Sequence, residues 1–439
     1  MKKKLSSTFF LCFVSFVSFS QSIDTQKLDE YFNALEKNNK FMGSVAVSQD
    51  GKLIYNRALG FSDIESSIKA DTETKYRIGS ISKTFTAVLV LKALEDSKLD
   101  LEQTIAKFFP TIKNANQITI RQLLTHRSGI YNFTDAKDYK TWMTQPKTEK
   151  EMVDIIVKGR SDFEPGTQTQ YSNSNYVLLT YILEKTYKKP YSQLIDTYIA
   201  KPAGLKNTYL GQKIGSQDNE ASSYDFDGDW HKVSETDISI PLGAGGIVTT
   251  PNDLVQFSDA LFSGKMLKKE TLEMMKSIKD HFGMGLMQIP FYEHVAYGHS
   301  GGIDKFTSVF SYFPDKSLSF ALMSNGTNYD NNEISLAVLS AAYGKPFDIP
   351  EFNTFQTKLE DLVKYVGIYA SKQIPIKITI SNQSNTLLAQ ATGQSSFTLE
   401  ATGLNKFAFK KANIVLEFEP DKNLMILKQG GGEFLFTKE

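Results

Sequence analysis

The residues after Lys83 read Thr-Phe-Thr-Ala-Val-Leu-Val-Leu-Lys-Ala-Leu, and Phe85, Val88, Leu89, Val90, Leu91 and Leu94 cover nearly every side of a helical wheel. A helix apolar nearly all round is buried, so the rest of the chain must wrap it. Gly79-Ser80 is a natural start for that helix, since Ser favours the first positions. Lys83 follows three residues later, on the same face as Ser80. Burial and the positive end of the helix dipole both disfavour an ammonium there, so the Lys83 pKa is expected to fall toward neutrality. A neutral lysine beside a serine hydroxyl is a general base beside a nucleophile, and a helix N-terminus offers a backbone N–H to an oxyanion.

Against this stands a plainer reading, a serine that caps a helix and a lysine in solvent. A bare S-x-x-K arises easily by chance. Ser66-Ser67-Ile68-Lys69 also fits, in a polar stretch with no buried helix after it. Context separates the two.

The chain opens with Met1 and Lys2-Lys3-Lys4, followed by an apolar run to Phe19 and small residues at Ser18 and Ser20. That pattern reads as a secretory signal peptide over 1–20, cut near Ser20-Gln21, and implies a secreted or periplasmic protein. The run is too short for a comfortable membrane span, and no other segment is apolar enough to cross one. Cys12, the only cysteine, lies in this run after Leu11, which does not suit a lipoprotein site. The mature chain therefore has no disulfide and no thiolate metal site. Loss of the three lysines takes a formal charge of zero to minus three, and nothing suggests nucleic acid as a partner.

At 439 residues two folded units are expected. Gly43 to Gln49 and Lys52 to Phe61 flank Gln49-Asp50-Gly51 as a β-hairpin. Phe306 to Phe313 and Ser317 to Met323, joined by Pro314-Asp315-Lys316, form a second. Hairpins near both ends with helices between predict one antiparallel sheet flanked by a helical region. Lys150 to Lys158, Tyr176 to Glu184 and a segment starting at Pro251-Asn252-Asp253 read as helices, and Leu242 to Ile247 as a close-packing turn. Residues 205–240 read as polar loop. Residues 346–358, with Pro346 and Pro350, read as a linker. Beyond Leu359, eight short β runs predict a small all-β barrel or sandwich over 359–439.

Two further motifs complete the set. Tyr171-x-Asn173 precedes an apolar helix, and His299-x-Gly301 lies in Gly298-His299-Ser300-Gly301-Gly302. In the order Ser80-x-x-Lys83, Tyr171-x-Asn173, His299-x-Gly301, they resemble the serine β-lactamase and DD-peptidase superfamily. The likeness is strongest to the class C branch, with its D-aminopeptidase, carboxypeptidase and esterase relatives. Leu123 to Gly129, Phe163 to Thr167 and Gly243 to Gly246 look like further landmarks of it. Each element alone is weak: Tyr31-x-Asn33, Tyr329-x-Asn331 and His281-x-Gly283 also fit. The resemblance covers about 25–345, and the tail resembles the barrel of some secreted members. It implies an α/β (α+β) β-lactamase/transpeptidase-like fold for 21–345.

The resemblance also implies roles. Ser80 attacks the carbonyl, Lys83 takes its proton, and Tyr171 relays it to the leaving group and later activates water. Asn173, His299 and Gly301 bind substrate, with Asn173 also orienting Lys83. The N–H groups of Ser80 and Gly302 form the oxyanion hole. The substrate is a small molecule or peptide with an amide or ester bond, and no cofactor is required. His299 stands where β-lactamases usually carry Lys, which disfavours substrates anchored by a carboxylate at neutral pH and favours esters or peptides cut from the amino end. With an ordinary histidine pKa, carboxylate-bearing substrates should gain as the pH falls toward about 6.

Rivals are weaker. Gly298 to Gly302 matches the G-x-S-x-G nucleophile elbow. That fold needs a histidine after the serine, whereas the five histidines stand at 126, 231, 281, 294 and 299. His126 reads as a structural hydrogen-bonding residue. No clustered metal-ligand motif is present. The alternative of a different class is a non-catalytic or slow-turnover sensor of β-lactams or cell-wall peptides; intact Ser80, Lys83 and Tyr171 argue against it, and a sensor that still acylates would label without turning over. The exact substrate and the oligomeric state are not encoded in any motif.

Overall fold

The computed structural model describes residues 23–215, 218–352, 359–383, 386–409 and 412–439. The expected signal peptide, its cleavage point and part of the expected linker lie outside them.

Six strands form the main antiparallel sheet: β1 (Phe41–Gln49), β2 (Lys52–Leu59), β3 (Met287–Phe291), β4 (His294–Ile303), β5 (Phe306–Phe313) and β6 (Leu318–Thr327), in the spatial order β3-β4-β5-β6-β1-β2. The two expected hairpins meet side by side, β1 against β6, with Val45 opposite Leu322 and Val47 opposite Phe320. The ends of this domain therefore close one sheet, and Lys40 and Asn328 are joined where they meet.

Strands β3 and β4 were not anticipated from sequence. Pro290 and the glycines at 298, 301 and 302 break the alternation a strand normally shows. Pro290 is tolerated because β3 is an edge strand. Ser300 lies within β4, not on a strand-to-helix turn, so the elbow geometry is absent.

Helices cover both faces of the sheet. Helix α1 (Thr25–Lys37) and the late helix Asn331–Tyr343 close one core with Phe32, Leu35, Phe320 and Val338. The larger core on the other face is built around α2 (Ser82–Glu95), buried from Ser82 through Leu91. Packed with it are α3 (Asn173–Tyr187) and α4 (Pro251–Phe262); Phe85 and Phe257 stack with centroids 3.9 Å apart. The α-helix begins two residues later than expected: Gly79–Ile81 is a 3-10 turn, and Ser80 lies in it rather than capping α2.

The 205–240 region is not wholly loop. It holds Tyr209–Leu210, Tyr224–Phe226 and Trp230–Lys232, strands too short for their alternation to be read from sequence. Tyr209–Leu210 joins Tyr76–Arg77 on either side of Ile247–Thr249, in the small sheet that delivers the chain to the Ser80 turn. The expected turn at Leu242 includes one helical turn, Leu242–Gly245.

Residues 367–438 form a nine-stranded antiparallel sheet rolled into a nearly closed barrel. The run expected at 396–400 divides between Phe397–Thr398 and Glu400–Gly403, the two edge strands of that sheet, separated in sequence only by Leu399. The chain thus closes the barrel itself. Its core, with Tyr365, Ile380, Leu416, Phe418 and Phe436, is separate from the other two. A chain ending near residue 350 is therefore expected to unfold cooperatively and to keep a reactive Ser80, checked by thermal melting and active-site labelling. Collapse of both would mean that the barrel and the sheet are one cooperative unit.

Candidate active site

Four segments converge on Ser80. The first is its own 3-10 turn, entered through Gly79 with φ +50°. The second is β4, which crosses directly over this turn. A β-carbon at Gly301 would lie 1.9 Å from the Ile78 oxygen, and one at Gly79 would lie 2.7 Å from the Gly302 nitrogen. Only glycine at both positions lets the two backbones approach so closely. The Ser308 hydroxyl, from β5, donates to the Ile78 oxygen at 2.8 Å and pins the contact.

The third segment is the start of α3. Ser172 gives its N-terminus no side-chain cap. Instead Asn132 Oδ1 accepts from the Asn173 backbone N–H at 2.9 Å and from its Nδ2 at 3.3 Å, and Thr134 Oγ1 accepts from the same Nδ2 at 3.2 Å. These bonds satisfy an otherwise orphan helix N–H. They also turn the Asn173 amide so that its oxygen points at Lys83. The fourth segment is Leu242–Gly245. Thr180 Oγ1 accepts from Gly243 N at 3.1 Å, and Thr86 Oγ1 donates to Gly243 O at 2.7 Å. This leaves the Ala244 carbonyl facing Lys83.

Lys83 is fully buried. Its Nζ lies 2.8 Å from Asn173 Oδ1, 2.7 Å from Ala244 O and 3.0 Å from Ser80 Oγ. Burial drives its pKa well below the ordinary lysine value. The direction agrees with the sequence expectation, and the cause is desolvation. A neutral amine has two hydrogens and one lone pair. The two carbonyl oxygens can only accept, so they take the hydrogens; Ser80 alone can donate to the lone pair.

The Tyr171 hydroxyl lies 2.7 Å from Ser80 Oγ. Ser80 Oγ thus bonds both Tyr171 and Lys83, and the Lys83 amine sits 4.8 Å from the centroid of the Tyr171 ring. Burial raises the Tyr171 pKa far above that of free tyrosine. It is therefore a neutral phenol that donates to Ser80. Behind it lies His126, buried and at φ +56°, with ring centroids 4.5 Å apart. His126 Nδ1 accepts from Ser172 N–H at 3.2 Å, and burial holds the imidazole neutral. This is the structural hydrogen-bonding role expected for it.

His299 is also buried, 6.5 Å from Tyr171 between ring centroids. Its Nδ1 lies 2.6 Å from the Ser300 carbonyl oxygen, which can only accept, so Nδ1 carries the proton and Nε2 a lone pair. Burial pushes its pKa down to about 4. This corrects the expectation of an ordinary histidine. His299 is neutral throughout the physiological range, and its free nitrogen accepts a hydrogen bond rather than donating one.

The structure thus brings Ser80, Lys83, Tyr171, Asn173, His299, Gly301 and Gly302 to one place. The decoy Ser66 and Lys69 are exposed on the surface. Sequence reading missed Asn132, Thr134 and Ala244. Asn132 follows closely on the Leu123–Gly129 landmark and Ala244 lies inside the Gly243–Gly246 one, signals of place but not of the contact each makes. Among the described residues no group of His, Cys, Asp or Glu is placed to hold a metal ion, and no helix is long and apolar enough to cross a membrane.

A serine held beside a buried lysine, under a sheet strand and next to a helical region, belongs to a serine hydrolase with the β-lactamase/transpeptidase-like fold. The model of the Beta-lactamase family matches residues 28–344, and the chain belongs to that family. Penicillin-binding protein 4* of Bacillus subtilis (strain 168) is 25% identical over 447 residues, covering 92% of this chain and 97% of that one. Teichoic acid D-alanine hydrolase of Staphylococcus aureus (strain MRSA252) is 28% identical over 230 residues, 52% of this chain and 55% of that one. The crystal structure of D-amino acid amidase from Ochrobactrum anthropi SV3 superposes with a TM-score of 0.64 and 27% identity, over 72% of this chain and 99% of that one. The octameric penicillin-binding protein homologue from Pyrococcus abyssi shares the fold over 94% of this chain, with a TM-score of 0.69 and 23% identity.

A pH test follows from His299. The ratio of kcat/KM for a carboxylate-bearing substrate to that for its uncharged analogue should stay flat from about pH 8 to about pH 5.5, because the imidazole titrates below that window. A rise in the ratio on approaching pH 6 would mean that His299 is protonated there.

Proposed function

We propose that the protein is a secreted serine hydrolase that works through an acyl-enzyme on Ser80, cleaving amides or esters of D-amino acids or cell-wall-type peptides. The observation that carries this reading is the threefold environment of the Lys83 amine, which leaves its lone pair directed at the Ser80 hydroxyl. Secretion rests on the signal-like segment 1–20. We place the division between hydrolase domain and barrel in 346–358.

Ser80 Oγ attacks the substrate carbonyl while its proton passes to Lys83. The oxyanion forms against the backbone N–H groups of Ser80 and Gly302. Tyr171, a neutral phenol on the same oxygen, gives its proton to the leaving nitrogen or oxygen and is reprotonated by Lys83. In the second half water attacks the acyl carbon, Tyr171 passes its proton toward the Lys83 amine, and Lys83 returns a proton to Ser80 Oγ as the acyl–oxygen bond breaks. Asn173 holds Lys83 and reaches the substrate amide. Gly301 contributes by having no side chain between β4 and the Ser80 turn.

The substrate preference follows from charge. Lys83, Tyr171 and His299 are all neutral, so a substrate carboxylate finds no cation among them. The lone pair of His299 suits an N–H or an ammonium group instead. D-Alanine bound to teichoic acid and D-amino acid amides, the substrates in the names of two relatives, both fit that description.

Three measurements test the proposal. A fluorophosphonate or fluorescent penicillin adduct should map by mass spectrometry to the peptide holding Ser80; an adduct on Ser66 or Ser300 refutes the assignment. Tyr171→Phe should lower turnover by ~10²-fold with the fold intact, the usual scale of acid–base catalysis. Release of free D-amino acid from amides and esters separates an enzyme from a sensor, which would label at Ser80 and not turn over.

A further inference from the structure

Arg77 stands three residues before Ser80, and its side chain is only 2% exposed. Both halves of its guanidinium fork are engaged. Nη1 donates to the Thr236 oxygen at 2.8 Å and to Asp304 Oδ2 at 3.2 Å. Nη2 donates to the Gln212 oxygen at 2.9 Å and also bonds the Glu235 carboxylate.

Asp304 is equally buried. It occupies the tight Asp304-Lys305 turn joining β4 to β5, at φ +50°, two residues after Gly302. Its carboxylate also accepts from Thr236 N at 2.8 Å and Thr236 Oγ1 at 2.6 Å. Glu235 accepts from Ile214 N at 3.0 Å. The segment so anchored carries the connection onward: Asp237 N bonds the Met143 oxygen at 2.9 Å, and Lys147 N bonds Ser239 Oγ at 2.8 Å.

We propose that Arg77 is a positioning residue for the reaction. It ties the Ser80 turn to the hairpin carrying Gly302, and so fixes the gap between the two N–H groups that face the oxyanion. It also holds Gln212 and the Glu235-Thr236 segment against that hairpin. The proposal rests on the reading of Ser80 and Gly302 given above. Lysine cannot replace Arg77 in this role: a single ammonium cannot span the two sets of acceptors that a planar fork reaches at once.

The test uses the whole chain and a p-nitrophenyl ester that wild type turns over. Trapping on wild-type Ser80 checks the underlying reading first and separately. Arg77→Lys keeps the buried positive charge. It should lower kcat by ~10²-fold, the cost of a displacement of about 1 Å at a reacting centre, with KM changed less than about threefold. Asp304→Asn unties the same hairpin from its far end and should show the same split. Thermal melting accompanies both variants. A folded Arg77→Lys with wild-type kcat overturns the proposal. So does a parallel rise in KM that accounts for the whole loss. If Arg77→Lys does not fold, Asp304→Asn decides, and wild-type kcat in that variant overturns the proposal.

Discussion

A lysine amine buried without a paired carboxylate is the constraint on which the site depends. An ammonium in such surroundings carries a desolvation cost of several kcal/mol, and no ion pair among the described residues offsets it for Lys83. The neutral form is favoured, and its two hydrogens need acceptors that cannot give a proton back. Asn173 Oδ1 and Ala244 O meet that need from two separate segments. Each acceptor is itself held, Asn173 by Asn132 and Thr134, and Ala244 through the bonds of Gly243 to Thr86 and Thr180. The apolar α2 provides the dry surroundings that lower the pKa, and its first turn sets Lys83 beside Ser80.

The same economy recurs around the serine. Asn132 closes the N-terminus of α3 and orients the Asn173 amide with one oxygen atom. His126 accepts the Ser172 N–H and backs the Tyr171 ring with one imidazole. Arg77 binds the Thr236 and Gln212 carbonyls and two carboxylates with one guanidinium. In each case a buried polar group is satisfied by what also places a residue of the site, so leaving it unpaired would disturb both.

What the sequence revealed divides along the same line. The helix from Ser82 and the pairing of Ser80 with Lys83 depend on contacts three and four residues apart, and local periodicity exposes them. Tyr171, Asn173 and His299 were found from motif order, a pattern that survives without knowledge of the fold. Asn132, Thr134 and Ala244 act through contacts 39 or more residues away in sequence, which no local pattern carries. Strand β4 was hidden by its own glycines, the residues that let it approach the Ser80 turn. The titration range of His299 was misjudged for a related reason. It is set by burial, which is not visible in His-x-Gly.

The neutrality of the resting site also shapes the reaction. In the proposed mechanism the only formal charges appear during the chemistry, as an oxyanion under β4 and an ammonium at Lys83. The oxyanion meets fixed N–H dipoles. The ammonium keeps its two carbonyl acceptors but remains in the surroundings that lowered its pKa, so it gives up its proton readily. In that mechanism Tyr171, whose hydroxyl stands 2.7 Å from Ser80 Oγ in the resting site, carries the proton on to the leaving group. Burial that makes Lys83 a base in the first half of the cycle thus makes it an acid in the next step. The site gains both properties from one desolvated amine, without an acidic residue to tune it.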